Sequence, residues 1–429
     1  MTTSWRGLVL RFHFYAGVLV GPFVLIAALT GVLYAATPQL ESWLYSEQLT
    51  VPAAERTVPL ARQVEAAVAA RPSATLVAVR PAPEPGATTR VLFTADSLGE
   101  SERLAVFVDP GTGSVVGELV TYGSSGVLPL RTVLDQVHSN LLLGEFGRVY
   151  SELAASWLWV VALGGVVLWF ARRRAAKPKA AVRRHAVLGL WVLVGALFLS
   201  ATGLAWSKYA GENVADLRET FGWTTPALST TGSGDHAGHT SGTPTGTSPS
   251  EVDTVLGVAR SAGIDARAVE ITLPTKGVWK VAEIERGWPT QVDAVAVADG
   301  VVVDDVRFAD YPLMAKLTRW GIDAHMGVLF GLVNQLVLLA LGIGLVLLVV
   351  LGYRMWWRRR PTRGFGRPVP RGQWRKVPRA RLVAVLVVAA GVGWFVPLFG
   401  LSLLGFLVVD ALLARRRTKT APEPSEQLV

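Results

Sequence analysis

Four long apolar stretches, almost free of charge, leave this chain few folds to choose from. They run from about Phe12 to Ala36, Leu153 to Ala171, Ala186 to Ser207 and Gly327 to Tyr353. A helix of about 20 apolar residues crosses a hydrocarbon layer of roughly 30 Å. Helices and closed barrels are the structures that satisfy every backbone polar group there. The stretches therefore predict transmembrane helices. The first also stands where a signal peptide would. Its length, and a matching stretch deep inside the chain, argue for a span instead.

Charge sets the direction of crossing. Of the 42 Lys and Arg, 24 lie before residue 12, in 172–184, in 354–381 and after 414, opposed there only by Glu423 and Glu426. The other 18 face 30 acidic residues. Segregated basic residues mark cytoplasmic loops, so both termini are expected inside. The same basic patches fit attraction to anionic lipid better than binding to nucleic acid. The chain has no cysteine, which excludes disulfides, iron–sulfur clusters and covalent c-type haem attachment.

A last apolar stretch, Leu382 to Ala414, is basic at both ends and too long for one crossing. Pro397 and Gly400 offer a break, so a hairpin of two short helices is expected, making about six spans. Asp410 near its inner end is expected to snorkel or to pair with Arg415–Arg417. Between the spans lie two regions with the same coarse pattern. A helix-like stretch, Leu60–Ala70 or Val252–Ser261, precedes four runs rich in β-branched residues, which is the signature of a small α+β domain. The expected fold is an integral membrane α-helical bundle, a duplicated two-span unit plus a C-terminal hairpin, carrying two small extracytoplasmic α+β domains. The expected division places the first span within 1–37 and an outer domain at 38–135. The second span falls within 136–172, a basic inner loop at 173–185 and the third span at 186–207. An outer segment with a flexible Thr/Ser/Gly-rich linker follows at 208–250, then a second outer domain at 251–324 and the fourth span at 325–354. A basic loop at 355–381, the hairpin at 382–414 and an inner tail at 415–429 complete it. His236 and His239 fall in the linker and read as incidental rather than metal-binding.

The remaining four histidines form two matched pairs. A shift of 172 residues lays His13 on His185 and Thr30-Gly31 on Thr202-Gly203; a shift of 187 lays His138 on His325, Gly144 on Gly331, Gly165 on Gly352 and Trp169 on Trp356. Gly17 and Gly31 lie within about 40° of His13 on a helix, as Gly189 and Gly203 do of His185. Such glycines permit close helix packing or leave room for a flat macrocycle. By topology His13 and His185 lie at the inner side, and His138 and His325 at the outer side. Imidazoles near lipid are default functional candidates, and two per layer is the set needed for bis-histidine ligation of two b-type haems, one per leaflet. For the haem propionates, Arg6, Arg11, Arg183 and Arg184 are the inner candidates, and Arg131, Arg148, Lys316 and Arg319 the outer ones. His325 lies about 29 residues from Arg354, roughly 43 Å along a straight helix, so the outer pair is expected near or above the headgroups.

The His-x-x-x-Gly start with Leu29-Thr30-Gly31, the Arg184-His185…Gly189-Leu190-Trp191 run, His138…Gly144-Glu145-Phe146-Gly147-Arg148 and His325…Gly327…Gly331 resemble the PepSY-associated transmembrane proteins of bacteria. That family includes iron-regulated membrane proteins and ferric-siderophore reductases. The resemblance covers about residues 5–358 and leaves the C-terminal hairpin outside. It implies PepSY-like outer domains, a place in the bacterial plasma membrane and a dihaem reductase. Electrons would enter at the His13/His185 haem and leave from the His138/His325 haem to an external ferric chelate. The chain has neither a Gly-x-Gly-x-x-Gly fingerprint after a strand nor a P-loop, so a separate donor, a quinol or a flavoprotein, is expected. Two rival readings are a non-redox surface protein that binds peptides or modulates a peptidase, and a permease built from duplicated bundles.

Overall fold

The computed structural model describes residues 3–99, 101–172, 179–228, 249–275, 277–359 and 377–419. Helix α1 (Thr3–Ala35) is followed by α2 (Thr37–Leu44) and α3 (Ser46–Leu49). Next come α4 (Leu60–Ala70), β1 (Thr75–Arg80), β2 (Thr89–Thr94), β3 (Glu102–Val108) and β4 (Val115–Tyr122). The chain continues through α5 (Pro129–Asn140), α6 (Gly144–Arg172), α7 (Ala180–Trp191), α8 (Leu193–Ala205) and α9 (Tyr209–Thr220). Then follow α10 (Val252–Ser261), β5 (Val269–Thr275), β6 (Val278–Glu283), β7 (Ala294–Ala298) and β8 (Val301–Val306). The last helices are α11 (Leu313–His325), α12 (Gly331–Arg358), α13 (Arg379–Phe395) and α14 (Pro397–Lys419). His236, His239 and most of the linker lie outside the described residues.

Three helices, α1, α6 and α12, are long and apolar enough to cross a membrane; α7 and α8, bent by 58° at Val192, make a fourth if taken as one span. The hairpin forms, but α13 has 17 residues and the apolar part of α14 ends at Leu412. The described residues therefore carry three helices of span length, or four with the bent pair.

The stretches leading into α6 and α12 are not continuous helices. Leu141, Leu142 and Gly144 all have positive φ, and so do Gly327 and Gly331. Gly144 (φ 57°) and Gly331 (φ 54°) are repeat-equivalent. Each supplies, without a Cβ clash, the left-handed residue at which one helix ends and the next begins. His138 and His325 consequently sit in α5 and α11, one break before the long helices. The straight 43 Å helix expected below His325 does not form.

The chain divides into two compact units: Met1–Val32 with Val137–Thr220 and Leu339–Val429, and Leu33–Gln136 with Phe221–Leu338. The first, helical unit packs through small residues. A Cβ on Gly195 would meet Leu341 at 2.4 Å, and one on Gly342 would meet Val32 at 2.5 Å. Missing side chains here let α8 and α1 close on α12, as small residues do where lipid removes the hydrophobic drive between helices. Glu152, buried in α6, accepts from the Tyr209 and Ala210 amides at 3.0 and 3.1 Å. It thereby caps the N-terminus of α9, where a negative charge is favoured.

In the second unit the two α+β patterns share one antiparallel sheet, ordered β4-β3-β2-β1-β5-β6-β7-β8. The halves join where β1 pairs with β5, Ala78 opposite Thr272 and Val79 opposite Ile271. Arg80 seals the join to Glu270 at 2.6 Å. Two separate sheets would each have left an edge strand open, and edge pairing removes that liability. Alternate strand positions, among them Val79, Val91, Phe93, Val106, Ile271, Val281 and Val295, are buried with Val64 and Ala67 of α4 and Val255 and Ala259 of α10. Burying each such side chain is worth roughly 1.5–3 kcal/mol. Asp253 of the second half accepts from the Leu60 and Ala61 amides at 2.9 and 2.8 Å, so the second half also caps a helix of the first.

Candidate functional site

His13 and His185 come together inside the helical unit, their ring centroids 6.3 Å apart and their planes at 78°. Metal–imidazole bonds are about 2.0–2.1 Å, which sets opposed ligand nitrogens about 4 Å apart and ring centres about 6 Å apart. The observed spacing is of that size.

Local chemistry leaves one nitrogen of His13 ready for a metal. Its Nδ1 is 3.0 Å from the Val161 carbonyl. A carbonyl only accepts, so Nδ1 carries the proton, and in the neutral ring Nε2 keeps its lone pair. This carbonyl partner is what metal-bound histidines ordinarily have. Nδ1 of His185 is buried without a hydrogen bond of normal geometry, although the Leu348 main chain acts on the ring as an acceptor.

Glycines make the room. A Cβ on Gly165 would stand 3.3 Å from His13 Cε1, and one on Gly352 3.9 Å from His185 Cε1. Because a shift of 187 lays Gly165 on Gly352, each histidine faces the glycine of its own repeat. Around the two rings is a mostly apolar cavity of about 450 Å³, within the usual size of a small-ligand pocket. Trp157, Trp169, Tyr353 and Trp356 supply flat walls, and Arg172, Arg183 and Arg359 line it as well. Two imidazoles with centroids 6.3 Å apart, a slot held open by glycine and nearby cations fit a haem with two carboxylates. Among the described residues no group of three or more His, Cys, Asp or Glu is close enough to hold a bare metal ion.

The propionate candidates fare unevenly. Arg183 lines the cavity, and Arg172 and Arg359, which the sequence reading passed over, line it too. Arg6 acts electrostatically on Arg172, while Arg184 is exposed. Arg11 is buried and engaged elsewhere: it pairs with Asp410 and lies over the Tyr15 ring. Asp410 thus bonds α14 to α1; the side chains of Arg415–Arg417 lie outside the described residues. The outer candidates all have partners. Arg131 pairs with Glu41 at 2.9 Å, Arg148 donates to the Trp206 carbonyl, Lys316 to the Ala309 carbonyl, and Arg319 to Asp323.

His138 and His325 belong to different units, and each has its own support. His138 Nδ1 is 2.9 Å from Thr30 Oγ1, whose hydroxyl proton is directed to the Ile26 and Ala27 carbonyls. The threonine oxygen therefore accepts from Nδ1–H, leaving Nε2 of His138 as the lone-pair nitrogen. Gly31 gives the ring space, since a Cβ there would meet Cε1 at 3.5 Å. Tyr150 fixes the backbone by donating to the His138 carbonyl at 2.5 Å. The Thr30-Gly31 pair was visible as a repeat match, but its service to a histidine 108 residues away was not. His325, the half-buried last residue of α11, follows the fully buried Asp323, which accepts from Arg286 Nε at 2.7 Å and Arg319 Nε at 2.9 Å.

A bundle of apolar helices, a sheet region inserted between them in sequence and a half-buried histidine pair define a multi-helix membrane protein. The family model described as the PepSY-associated TM region matches residues 10–359, and the chain belongs to that family. A search of curated proteins finds no match.

Proposed function

We propose that this protein is a b-type dihaem electron conduit of the bacterial plasma membrane. It takes electrons from the cytoplasmic side or the membrane pool and reduces an extracytoplasmic ferric chelate of the siderophore type. The observation that carries the proposal is the His13/His185 pair, at ligand spacing in a glycine-lined cavity. Family membership supports it. Counting α13 and α14 as short crossings gives six spans with both termini inside.

Bound haem supplies a one-electron couple. His13 and His185 hold one such group from opposite repeats, with the Val161 carbonyl fixing the tautomer of His13. Arg172, Arg183 and Arg359 neutralise its carboxylates. The apolar walls exclude water, which strengthens every charge interaction within. The repeat argument extends the same ligand role to His138 and His325 for a second haem; it rests on sequence. Ferric iron lost from its hard oxygen ligands on reduction would be the useful product outside.

The test is an absorption spectrum of detergent-purified protein from haem-replete cells. The expected result is a low-spin bis-histidine haem signature, diminished by His13→Ala or His185→Ala. A colourless preparation would sink the proposal. A peptide-binding surface protein would be colourless with active outer domains, and a permease would keep its flux after histidine replacement.

A further inference from the structure

Beside the imidazole cavity is a second, smaller pocket of about 150 Å³, formed by α1, α6 and the C-terminal hairpin. The hairpin lies outside the family match, yet it is tied specifically to the family core. Trp157 Nε1 donates to Ser402 Oγ at 2.8 Å, Trp157 packs on Phe399 with centroids 5.0 Å apart, and Arg11 pairs with Asp410. Phe406 packs on both Phe12 and Tyr15 at 5.6 Å. We infer that this pocket binds the ring of a membrane quinone, with the Ser402 hydroxyl in its wall. The inference rests on the electron-conduit reading, for which it names the class of donor.

Four observations select that occupant. An apolar cavity of about 150 Å³ admits a benzene-sized ring and stays dry when empty. Phe12, Tyr15, Trp157 and Phe406 line the pocket, and aromatic walls favour a flat aromatic guest over a flexible acyl chain. The charged pair is one helical turn from the lining residues, Arg11 four before Tyr15 and Asp410 four after Phe406, and Arg11 covers the Tyr15 ring at 5.0 Å. The polar group in the wall itself is Ser402, bonded by Trp157 Nε1 at 2.8 Å. Lastly, Ala16, Val20 and Trp157 line both this pocket and the imidazole cavity. The same side chains therefore wall both the quinone pocket and the cavity that His13 and His185 line.

The experiment is photolabelling of the full-length protein in detergent with an azido-substituted short-tail benzoquinone, followed by peptide mapping. Decylubiquinone, a short-tail naphthoquinone and oleic acid serve as competitors. Saturable labelling of Phe12–Phe23 or Leu398–Asp410 is expected, displaced by the quinones and not by oleic acid. Phe406→Ala, which touches only the smaller pocket, is expected to weaken labelling at least tenfold while the haem spectrum stays unchanged. Asp410→Asn is expected to weaken it less. Labelling elsewhere, no saturation, or equal displacement by oleic acid overturns the assignment. Colourless protein that still labels saturably removes the conduit reading and leaves the quinone site standing. Haem-loaded protein that fails to label does the reverse, and points to a flavoprotein donor.

Discussion

Gly165 presses its bare Cα against His13, so closely that a Cβ there would come within 3.3 Å of the imidazole Cε1. The ring cannot retreat without losing its bond to the Val161 carbonyl. Gly165→Val is therefore expected to displace His13 and lower haem affinity by about tenfold or more, the cost usual for disturbing a ligand's support. Gly352→Val is expected to act more weakly, because its Cβ would stand 3.9 Å from His185. Haem titration of the apo-protein, followed at the Soret maximum, measures both. Equal affinity in all three proteins would refute the glycine argument.

Thr30 holds His138 through one hydrogen bond. Thr30→Val keeps the shape and removes one acceptor from the His138 ring, which retains the Ala27 main chain, at a cost of about 0.5–1.5 kcal/mol. The expected readout is loss of the outer haem's share of the low-spin spectrum, with the inner share retained. Thr30→Ser should restore it. If Val and Ser variants behave alike, the hydroxyl has no part in orienting the ring.

Asp323 is fully buried beneath two arginines whose side chains are 20% and 30% exposed. Breaking a buried ion pair by removing one partner costs about 3–5 kcal/mol. Here the partial exposure of both arginines puts Asp323→Asn near the lower end. Denaturant unfolding of the full-length protein in detergent, compared with wild type, gives the number. Replacing Asp323, Arg286 and Arg319 together with apolar residues of similar size should recover most of it, since no charge is then stranded.

Glu41 bonds the Arg131 guanidinium at 2.9 Å and accepts from the Arg131 amide at 3.2 Å. Burial still raises its carboxyl above the ordinary value, outweighing the pull of Arg131. A raised folded-state value means that the folded protein holds this proton to higher pH than the unfolded chain does. Stability from this group is complete below the unfolded value and declines as pH rises through the folded one. Glu41→Gln is expected to flatten that stretch of the stability–pH curve. Melting temperatures between pH 4 and 7 in one buffer series decide it; the same slope in both proteins would contradict the burial effect.

Much of this architecture could be read along the chain because its causes are local. An uncharged run long enough for a bilayer has to become a helix, and β-branched alternation has to become strands, whatever lies elsewhere. The Leu60–Ala70 helix and the strand at Thr75–Arg80 are both legible in local pattern. Duplication was equally visible, since a shift of numbering needs no coordinates. Contacts between remote residues were not. Nothing near Ala78 announces that β1 will pair with Thr272 on β5 and fuse two domains into one sheet. No local pattern tells Asp410 to seek Arg11, 399 residues away. The breaks at Gly144 and Gly331 look like ordinary glycines until a left-handed φ is required of them. The histidines were candidates by residue type and repetition alone. Only tertiary packing brought His13 to 6.3 Å from His185 and set a glycine against each, because spacing across a bundle is fixed by every side chain between the helices and by no short segment of the chain.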